Sequence, residues 1–210
     1  MLHRSKFRGR QPLAASRVPV VMEQLSFLET DGRPEGLRYQ AAFLTGDEEQ
    51  ALLAEMAALP LRPFEFQGFL GKRETVSFGW AYRFDGTGLA EAAPIPGWLL
   101  PVRARAAAFA GLDPEALVQA LVIRYAEGAG LGWHRDRPVF DDVLGISLLS
   151  AAPLRFRRKQ GEKWQRFTME AEPRSLYLLR GPARTDWQHS LPPVAALRYA
   201  ITFRSLRRNP

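Results

Sequence analysis

The sequence predicts an α+β fold that is mainly β, in which a helix-bearing first half precedes a strand-rich sandwich or jelly roll. Two observations lead to this prediction. Amphipathic helical patterns are found before about residue 118. From there onward, short alternating apolar runs separated by turn residues follow one another, which is typical of strands.

The first half of the chain contains one predicted strand and two predicted helices. Residues 37–44 predict a short strand. The Thr-Gly-Asp-Glu stretch at 45–48 is a capping box, and the apolar periodicity behind it predicts an amphipathic helix. A second helix is predicted over about 97–110, and Asp113 followed by Pro114 predicts the start of one more turn.

The second half of the chain consists of predicted strands. We expect them at about 119–126, 142–150, 153–159, 163–169, 174–180 and 197–206. Residues 159–163 predict a hairpin turn, because Gly161 tolerates the backbone conformation that such turns need.

The length of 210 residues suits a single domain, since it is long enough to bury a hydrophobic core. Residues 1–22 carry five cations and no acid, and we expect them to form a basic, disordered tail in front of a domain at 23–210. A nucleic-acid-binding tail, a transit peptide and a start at Met22 are alternatives for this segment.

The composition excludes several classes of site. There are no cysteines, which excludes disulfides and thiolate metal sites and fits a reducing compartment, so we expect a cytoplasmic protein. No stretch approaches about 18 uncharged apolar residues, so we expect no membrane partner, and we expect a monomer. The net charge of +7 suits a nucleic-acid partner, although a solvated basic surface explains it equally well.

Two histidines and an aspartate form the clearest chemical pattern. His134 and Asp136 make a His-x-Asp pair, and His189 follows after a long interval. Because residues i and i+2 of an extended strand point to the same face, the pair can reach one metal. Two histidines and one carboxylate can occupy one face of an octahedral Fe(II), although a Zn(II) hydrolase can use the same ligands.

A pair of arginines follows on the last predicted strand. Arg198 and Arg204 share one strand face with the small residues Ala200 and Thr202, which predicts a polar pocket. A solvent-facing basic strand is the alternative. Guanidinium groups bind carboxylates through two parallel hydrogen bonds, so these arginines would suit a dicarboxylate co-substrate.

With these motifs the sequence resembles the AlkB-like family of Fe(II)/2-oxoglutarate-dependent dioxygenases. The resemblance includes His-Arg-Asp at 134–136 and Arg-Tyr-Ala-Ile-Thr-Phe-Arg at 198–204. The matching stretches are 123–136, 181–189 and 198–204. Residues 64–84 also match, and they look like the family's substrate lid. The resemblance implies a double-stranded β-helix (jelly-roll) core at about 119–206. An N-terminal helix-bearing substrate lid and support region at about 38–118 would precede this core.

The resemblance also implies roles for individual residues. The residues that would bind Fe(II) are His134, Asp136 and His189. Arg198 would pair with the distal carboxylate of 2-oxoglutarate, Arg204 would lie near its metal-chelating end, and Tyr125 would hydrogen-bond to it. With O2 as the second co-substrate, the implied reaction removes alkyl groups from nucleic acid, DNA or RNA, and releases succinate, CO2 and formaldehyde.

Three positions depart from the repair members of that family. Ile123 and Ala200 replace asparagines near the co-substrate, and Pro138 replaces an acid that helps to select the damaged base. The sequence therefore predicts dealkylation without naming a lesion. Two alternatives stay open, namely the same chemistry on methylated protein or another small substrate, and a non-catalytic nucleic-acid-binding protein with a vestigial iron site.

Candidate substrate-binding residues lie in the lid and beside the metal motif. They are Lys72, Arg73, Trp80, Tyr82, Trp133 and Arg135. Aromatic side chains among cations can stack bases while holding phosphates. Four lid aromatics are expected to alternate along one strand face, where packing in the sheet core is the alternative: Phe78, Trp80, Tyr82 and Phe84. On a regular strand, Trp133 would point away from the metal and into the core.

The predicted hairpin at 153–169 carries a run of cations. They are Arg155, Arg157, Arg158, Lys159, Lys163 and Arg166. The run predicts either a surface that follows phosphates or a charged hairpin that protects a sheet edge from pairing with other chains.

Overall fold

The computed structural model describes residues 32–66, 69–83 and 88–207. Strands dominate these residues, as the sequence predicts. In chain order they are β1 Leu37–Gln40, β2 Arg62–Phe66, β3 Phe69–Phe78, β4 Trp80–Arg83, β5 Gly88–Glu91, β6 Leu117–Tyr125, β7 Leu131–His134, β8 Phe140–Leu148, β9 Ala152–Gln160, β10 Lys163–Ala171, β11 Leu176–Leu179, β12 Gln188–Leu191 and β13 Arg198–Leu206. The predicted tail at 1–22 and Phe84 lie outside the described residues.

The strands form two antiparallel sheets and a two-stranded ribbon. The major sheet has seven strands in the order β1-β11-β8-β13-β6-β3-β2, and the minor sheet has four in the order β10-β9-β12-β7. Strands β4 and β5 form the ribbon. Apolar side chains of both sheets meet between them, as where Val143 and Leu179 of the major sheet pack with Phe156 of the minor sheet. The result is a jelly-roll-like sandwich, which confirms the predicted fold class.

The first two helices of the described chain cover the other side of the major sheet, and the short third helix packs in the core between the sheets. They are α1 Gly46–Ala57, α2 Leu100–Ala110 and the single turn α3 Pro182–Thr185, with 3-10 turns at Gly97–Leu99 and Pro114–Ala116. Met56 of α1 and Ala106 of α2 are fully buried against Ile201 and Phe203 of β13. The predicted amphipathic helix α1 and the second predicted helix, α2, are therefore both present. None of the described helices is long and apolar enough to cross a bilayer.

Local sequence signals set the ends of these elements. Thr45 and Glu48 form the predicted capping box at the start of α1. Asp113 accepts a hydrogen bond from the backbone N–H of Glu115, as expected of an N-cap. Gly161 has a φ of 60° in the turn between β9 and β10, which confirms the predicted hairpin.

The first predicted strand is shorter in the structure. The strand expected at 37–44 ends at Gln40, because Ala42 has a φ of 48° and turns the chain. Phe43 and Leu44 then pack into the core beside α1 rather than pairing in the sheet.

The expected alternation of lid aromatics on one strand is wrong. Strand β3 ends at Phe78, and Gly79 follows with a φ of 72°. A side chain at Gly79 would overlap the carbonyl of Val118, so the chain turns there at a position where glycine is required. Phe78 joins the core between the helices and the major sheet, whereas Trp80 and Tyr82 belong to the ribbon.

Candidate metal centre and co-substrate pocket

The two sheets bring His134, Asp136 and His189 together. His134 ends β7 and pairs directly opposite His189 of β12, with ring centroids 4.2 Å apart. Asp136 approaches from the chain that follows β7, and its Oδ2 lies 3.5 Å from Nε2 of His189. One nitrogen or oxygen donor from each residue lies within 4.8 Å of the others. The spacing of the three donor atoms would let them surround one metal ion.

His134 and Asp136 face the same cavity, as their two-residue spacing predicts. The prediction placed His134 and Asp136 on one extended strand, but β7 ends at His134. Asp136 lies in the segment between β7 and β8 and is nevertheless buried on the same side. The exposed Arg135 separates two residues that both line the cavity, so the alternation expected of an extended chain continues past the end of β7.

The donor set fits a divalent transition metal. It offers two imidazole nitrogens and one carboxylate oxygen, the combination found in non-haem Fe(II) sites. Nδ1 of His134 lies 2.9 Å from the carbonyl oxygen of Gly132. When Nδ1 carries the proton and donates it there, Nε2 keeps a free lone pair for the metal, and the ring is held in orientation.

The surroundings favour the protonation states that a metal requires. Burial is the main reason that the pKa of His189 falls to about 3, and burial also lowers the pKa of His134. For Asp136, burial alone would raise the pKa, but the charge and hydrogen bond of Arg204 together with the two histidines outweigh it, and the pKa is lowered overall. At neutral pH the cluster therefore consists of two neutral imidazoles and one carboxylate, the state that binds metal.

Arg204 holds one oxygen of Asp136. Its Nε donates to Oδ1 at 2.9 Å, and its Nη2 lies 2.8 Å from the same oxygen. Its third nitrogen, Nη1, donates to Oε1 of Gln119 at 3.0 Å. Oδ1 of Asp136 is thus engaged by the guanidinium, and Oδ2 is left facing His189.

Arg198 is a buried cation without a carboxylate partner among the described residues. It is 3% exposed, and its Nη2 donates to the hydroxyl of Ser147 at 3.1 Å. Its Nε is buried and has no partner within the described part of the chain. Because a buried charge is costly unless it is compensated, this arginine fits an anionic ligand such as a dicarboxylate. Its guanidinium carbon lies 5.3 Å from the ring centre of Tyr125.

A cavity between the sheets joins the arginines to the metal cluster. Its lining includes the predicted polar face of β13, which confirms that the face is turned inward: Arg198, Ala200, Thr202 and Arg204. The predicted Tyr125 lines it as well, together with Ile123. Ile123 and Ala200, the two departures from the asparagines of repair members, pack in one apolar cluster at this cavity.

Sequence reasoning missed Tyr177, which also lines the cavity. Burial raises the pKa of its phenol to about 12, so the group stays protonated at neutral pH. Its ring occupies the space over Gly145, where any side chain would overlap it. A glycine inside a predicted buried strand is the signal that marks such a close approach.

The two predicted lid cations differ in burial. Arg73 lies opposite Tyr125 on β3, and its guanidinium stacks on Phe64 at 4.0 Å. Burial lowers the pKa of Arg73, although its side chain does not line the cavity. Lys72 is exposed on the neighbouring position and does not join the cluster.

The ribbon contacts the segment that carries Asp136. The guanidinium of Arg137 lies 4.6 Å from the ring centre of Tyr82. The carbonyl of Trp80 accepts a hydrogen bond from Nε2 of Gln119 at 2.8 Å. Gln119 is buried and was also missed from the sequence, because its two partners are distant along the chain.

The two residues beside the metal histidine lie away from the cavity. Trp133 is half-buried on the opposite face of the minor sheet, under the guanidinium groups of Arg155 and Arg157, and the expectation that it joins the core is wrong. Arg135 is exposed and donates to the carbonyl oxygen of Asp186 at 2.9 Å. Neither side chain lines the pocket around the metal cluster.

Comparisons with known proteins agree with this geometry. The model of the 2OG-Fe(II) oxygenase superfamily matches residues 36–204. A curated relative, the Alkylated DNA repair protein ALKBH8 homolog of Arabidopsis thaliana, is 28% identical over 192 residues, which cover 80% of this chain and 54% of that protein. The chain thus spans about half the length of this relative.

Solved structures share the fold at low sequence identity. The structure of OsALKBH1 has a TM-score of 0.66 at 16% identity and covers 82% of this chain and 97% of its own. A prolyl-4-hydroxylase of Pseudomonas putida has a TM-score of 0.56 at 19% identity. The match covers 83% of this chain and 94% of the hydroxylase chain. The family match spans the metal cluster and both pocket arginines. The similarity to two proteins named ALKBH agrees with the predicted AlkB-like resemblance. The chain therefore belongs to the 2OG-Fe(II) oxygenase superfamily, whose members use Fe(II), 2-oxoglutarate and O2.

Proposed function

We propose that this dioxygenase removes methyl or other alkyl groups from alkylated DNA or RNA and releases succinate, CO2 and formaldehyde. The observation that carries the proposal is the buried Arg198 without a carboxylate partner in the described part of the chain, in one cavity with the His134 cluster. This arrangement would hold a dicarboxylate co-substrate next to a metal. The net charge of +7 favours a polyanionic substrate, and the curated relative is named for alkylated DNA repair.

In this proposal the three clustered residues hold iron. The metal ligands are His134, Asp136 and His189. When bound, iron with O2 and 2-oxoglutarate supplies the oxidation that places one oxygen atom on the alkyl carbon, while 2-oxoglutarate becomes succinate and CO2. The hydroxylated carbon then leaves the nitrogen as formaldehyde.

The pocket residues bind and orient the co-substrate. Arg198 would pair with the distal carboxylate of 2-oxoglutarate, because its guanidinium offers donors that no carboxylate of the described chain takes. The hydroxyl of Tyr125 would donate a hydrogen bond to the same molecule. Arg204 keeps Oδ1 of Asp136 occupied, so that Oδ2 stays directed toward the metal position.

The apolar cluster around the pocket excludes water. Ile123, Ala200 and Leu191 are buried together at the cavity wall. Since water-excluded sites strengthen the pull of Arg198 on a carboxylate, the loss of two asparagines at this wall is compatible with co-substrate binding. The apolar wall favours catalysis over a vestigial site.

The test is a formaldehyde and succinate assay on defined substrates. Purified protein with Fe(II) and 2-oxoglutarate is offered N-methylated single-stranded DNA, RNA and lysine-methylated peptides. We expect formaldehyde from an oligonucleotide, none after His134→Ala, and unchanged turnover after Arg38→Gln, an exposed position on β1. Turnover on peptides alone would show that the substrate is protein and not nucleic acid. Pro138 raises this possibility, because it replaces an acid that helps repair members to select the damaged base. Absence of succinate under all conditions would overturn the proposal.

A further inference from the structure

We propose that the outer face of the minor sheet binds single-stranded nucleic acid at a distance from the metal. The outer face is the side turned away from the cavity, and it is formed by Trp133, Arg155, Arg157, Lys159, Trp164 and Arg166. The inference rests on the proposed nucleic-acid substrate and adds a second contact surface for it.

Strand alternation separates this face from the active site. On β9, Phe156 points inward and packs near His189, with ring centroids 6.2 Å apart. Its neighbours Arg155 and Arg157 therefore point outward. The same strands thus present the metal ligand on one side and cations on the other.

The cations and tryptophans of the outer face form one stack. The guanidinium carbon of Arg157 lies 4.4 Å from the ring centre of Trp133 and 4.5 Å from that of Trp164. Arg155 lies over Trp133 as well, at 5.3 Å. Trp164 is 39% exposed, so part of its ring is open to solvent beside these charges. An exposed ring beside fixed cations can stack a base while the cations hold its phosphates.

The arginines of the stack are held by neutral partners. Nε of Arg155 donates to the hydroxyl of Ser190 at 3.2 Å, and Nε of Arg157 donates to Oε1 of Gln188 at 2.8 Å. Among the described residues, no carboxylate forms an ion pair with either side chain. Their charge is therefore uncompensated and their orientation is fixed before binding, which reduces the entropy lost when a phosphate arrives.

The positive charge continues around the end of the sheet toward the active site. A concave surface there is lined by Arg135, Arg158 and Lys159, together with Asp186. Arg135 directly precedes Asp136, the candidate metal ligand. A strand lying on the outer face could therefore follow cations to the segment that borders the metal site.

The chemistry of this face favours a single strand over other anions. In the four strands of the minor sheet, Glu170 is the one acidic residue against six cations, which suits a polyanion. An exposed tryptophan ring can stack on unpaired bases, which a single strand offers and a duplex does not. The alternative is a charged hairpin that only protects the sheet edge from pairing with other chains. Such a hairpin would not need the stack on Trp164, nor arginines held in place by Ser190 and Gln188.

The experiment measures binding of an unmodified, fluorescein-labelled single-stranded 20-mer to the full chain at several salt concentrations. Arg157→Gln and Arg166→Gln are each expected to lower the slope of log Kd against log salt by about 0.7. Trp164→Ala is expected to weaken Kd about 5-fold or more with the slope unchanged, because it removes stacking and no charge. Arg38→Gln is the matched control, since Arg38 also stacks on an aromatic ring, Phe109, at 4.3 Å.

The outcomes separate this inference from the proposed reaction. Wild-type affinity and wild-type slope in all four variants would overturn it. It would also be overturned if the outer-face variants lost binding to phosphatidylserine vesicles while their oligonucleotide binding stayed unchanged. If the oligonucleotide results hold while no formaldehyde forms, the surface stands and the proposed reaction fails. Where formaldehyde does form, Trp164→Ala should lower kcat/KM for a methylated oligonucleotide and leave turnover of the methylated nucleoside unchanged.

Discussion

Gln119 accepts a hydrogen bond from Arg204 at 3.0 Å, and its amide nitrogen donates to the carbonyl of Trp80 at 2.8 Å. Since Arg204 also holds Asp136, this one buried amide joins the candidate metal ligand to the ribbon of the lid region. The link lets the position of the ribbon and the orientation of Asp136 depend on each other.

We expect Gln119→Leu to destabilise the fold and weaken the metal site. It leaves a buried N–H of Arg204 and the Trp80 carbonyl without partners, which costs about 1–3 kcal/mol of unfolding free energy. Urea unfolding of the metal-free protein measures the loss. Gln119→Glu separates the two contacts, because it still accepts from Arg204 and loses the donor to Trp80. Wild-type metal affinity in both variants would argue against the link.

Arg204→Lys should weaken metal binding by about 10- to 100-fold, the usual range for residues that orient a ligand. Lysine offers a single point charge and cannot donate to both Asp136 and Gln119 in the planar geometry of guanidinium. Calorimetric titration with Mn(II) in place of Fe(II) measures the affinity.

The control for Arg204 is Arg180→Lys. Arg180 also binds one carboxylate through two nitrogens, with both contacts to Asp142 at 2.7 Å, and neither residue lines the metal pocket. This variant should lower stability and leave Mn(II) affinity unchanged. A similar loss of affinity in both variants would mean that Arg204 acts only through the stability of the fold.

The sequence predicted those parts of the site that depend on local pattern. The inward face of β13, from Arg198 to Arg204, follows from the two-residue period of a strand, which requires no knowledge of the partner strands. The order of His134, Asp136 and His189 was recognised as a motif. The inward direction of Asp136 follows from the same two-residue period, which continues past the end of β7.

The residues that the sequence did not predict act through contacts between distant strands. Tyr177 reaches the pocket from β11 across Gly145 of β8, and Gln119 joins β6 to the ribbon. Neither has a local signature of its own, since an inward tyrosine or glutamine on a strand reads as ordinary core or surface. Likewise, Gly79 divided a stretch of alternating aromatics whose period predicts one continuous strand.

Arg198→Gln should raise the KM for 2-oxoglutarate by at least about 10-fold, since a charge-assisted hydrogen-bonded pair with a carboxylate contributes about 1.5–3 kcal/mol. Succinate formation at varied 2-oxoglutarate measures it. Ser147→Ala removes the hydroxyl that accepts from Arg198 and keeps the charge, so a smaller rise is expected. Wild-type KM in Arg198→Gln would exclude the proposed role.

Gly145→Ala should displace the Tyr177 ring from the pocket wall, because the added methyl group would occupy the position of that ring. We expect a loss of about 1–3 kcal/mol in unfolding free energy, as for an overpacked core, together with weaker 2-oxoglutarate binding. The cost should shrink when the ring is absent, so Gly145→Ala in a Tyr177→Leu background tests the contact directly through the coupling energy. Gly97→Ala is the control, since a Cβ there meets nothing within 4 Å. Additive effects of the Gly145 and Tyr177 substitutions would show that the ring does not depend on this glycine.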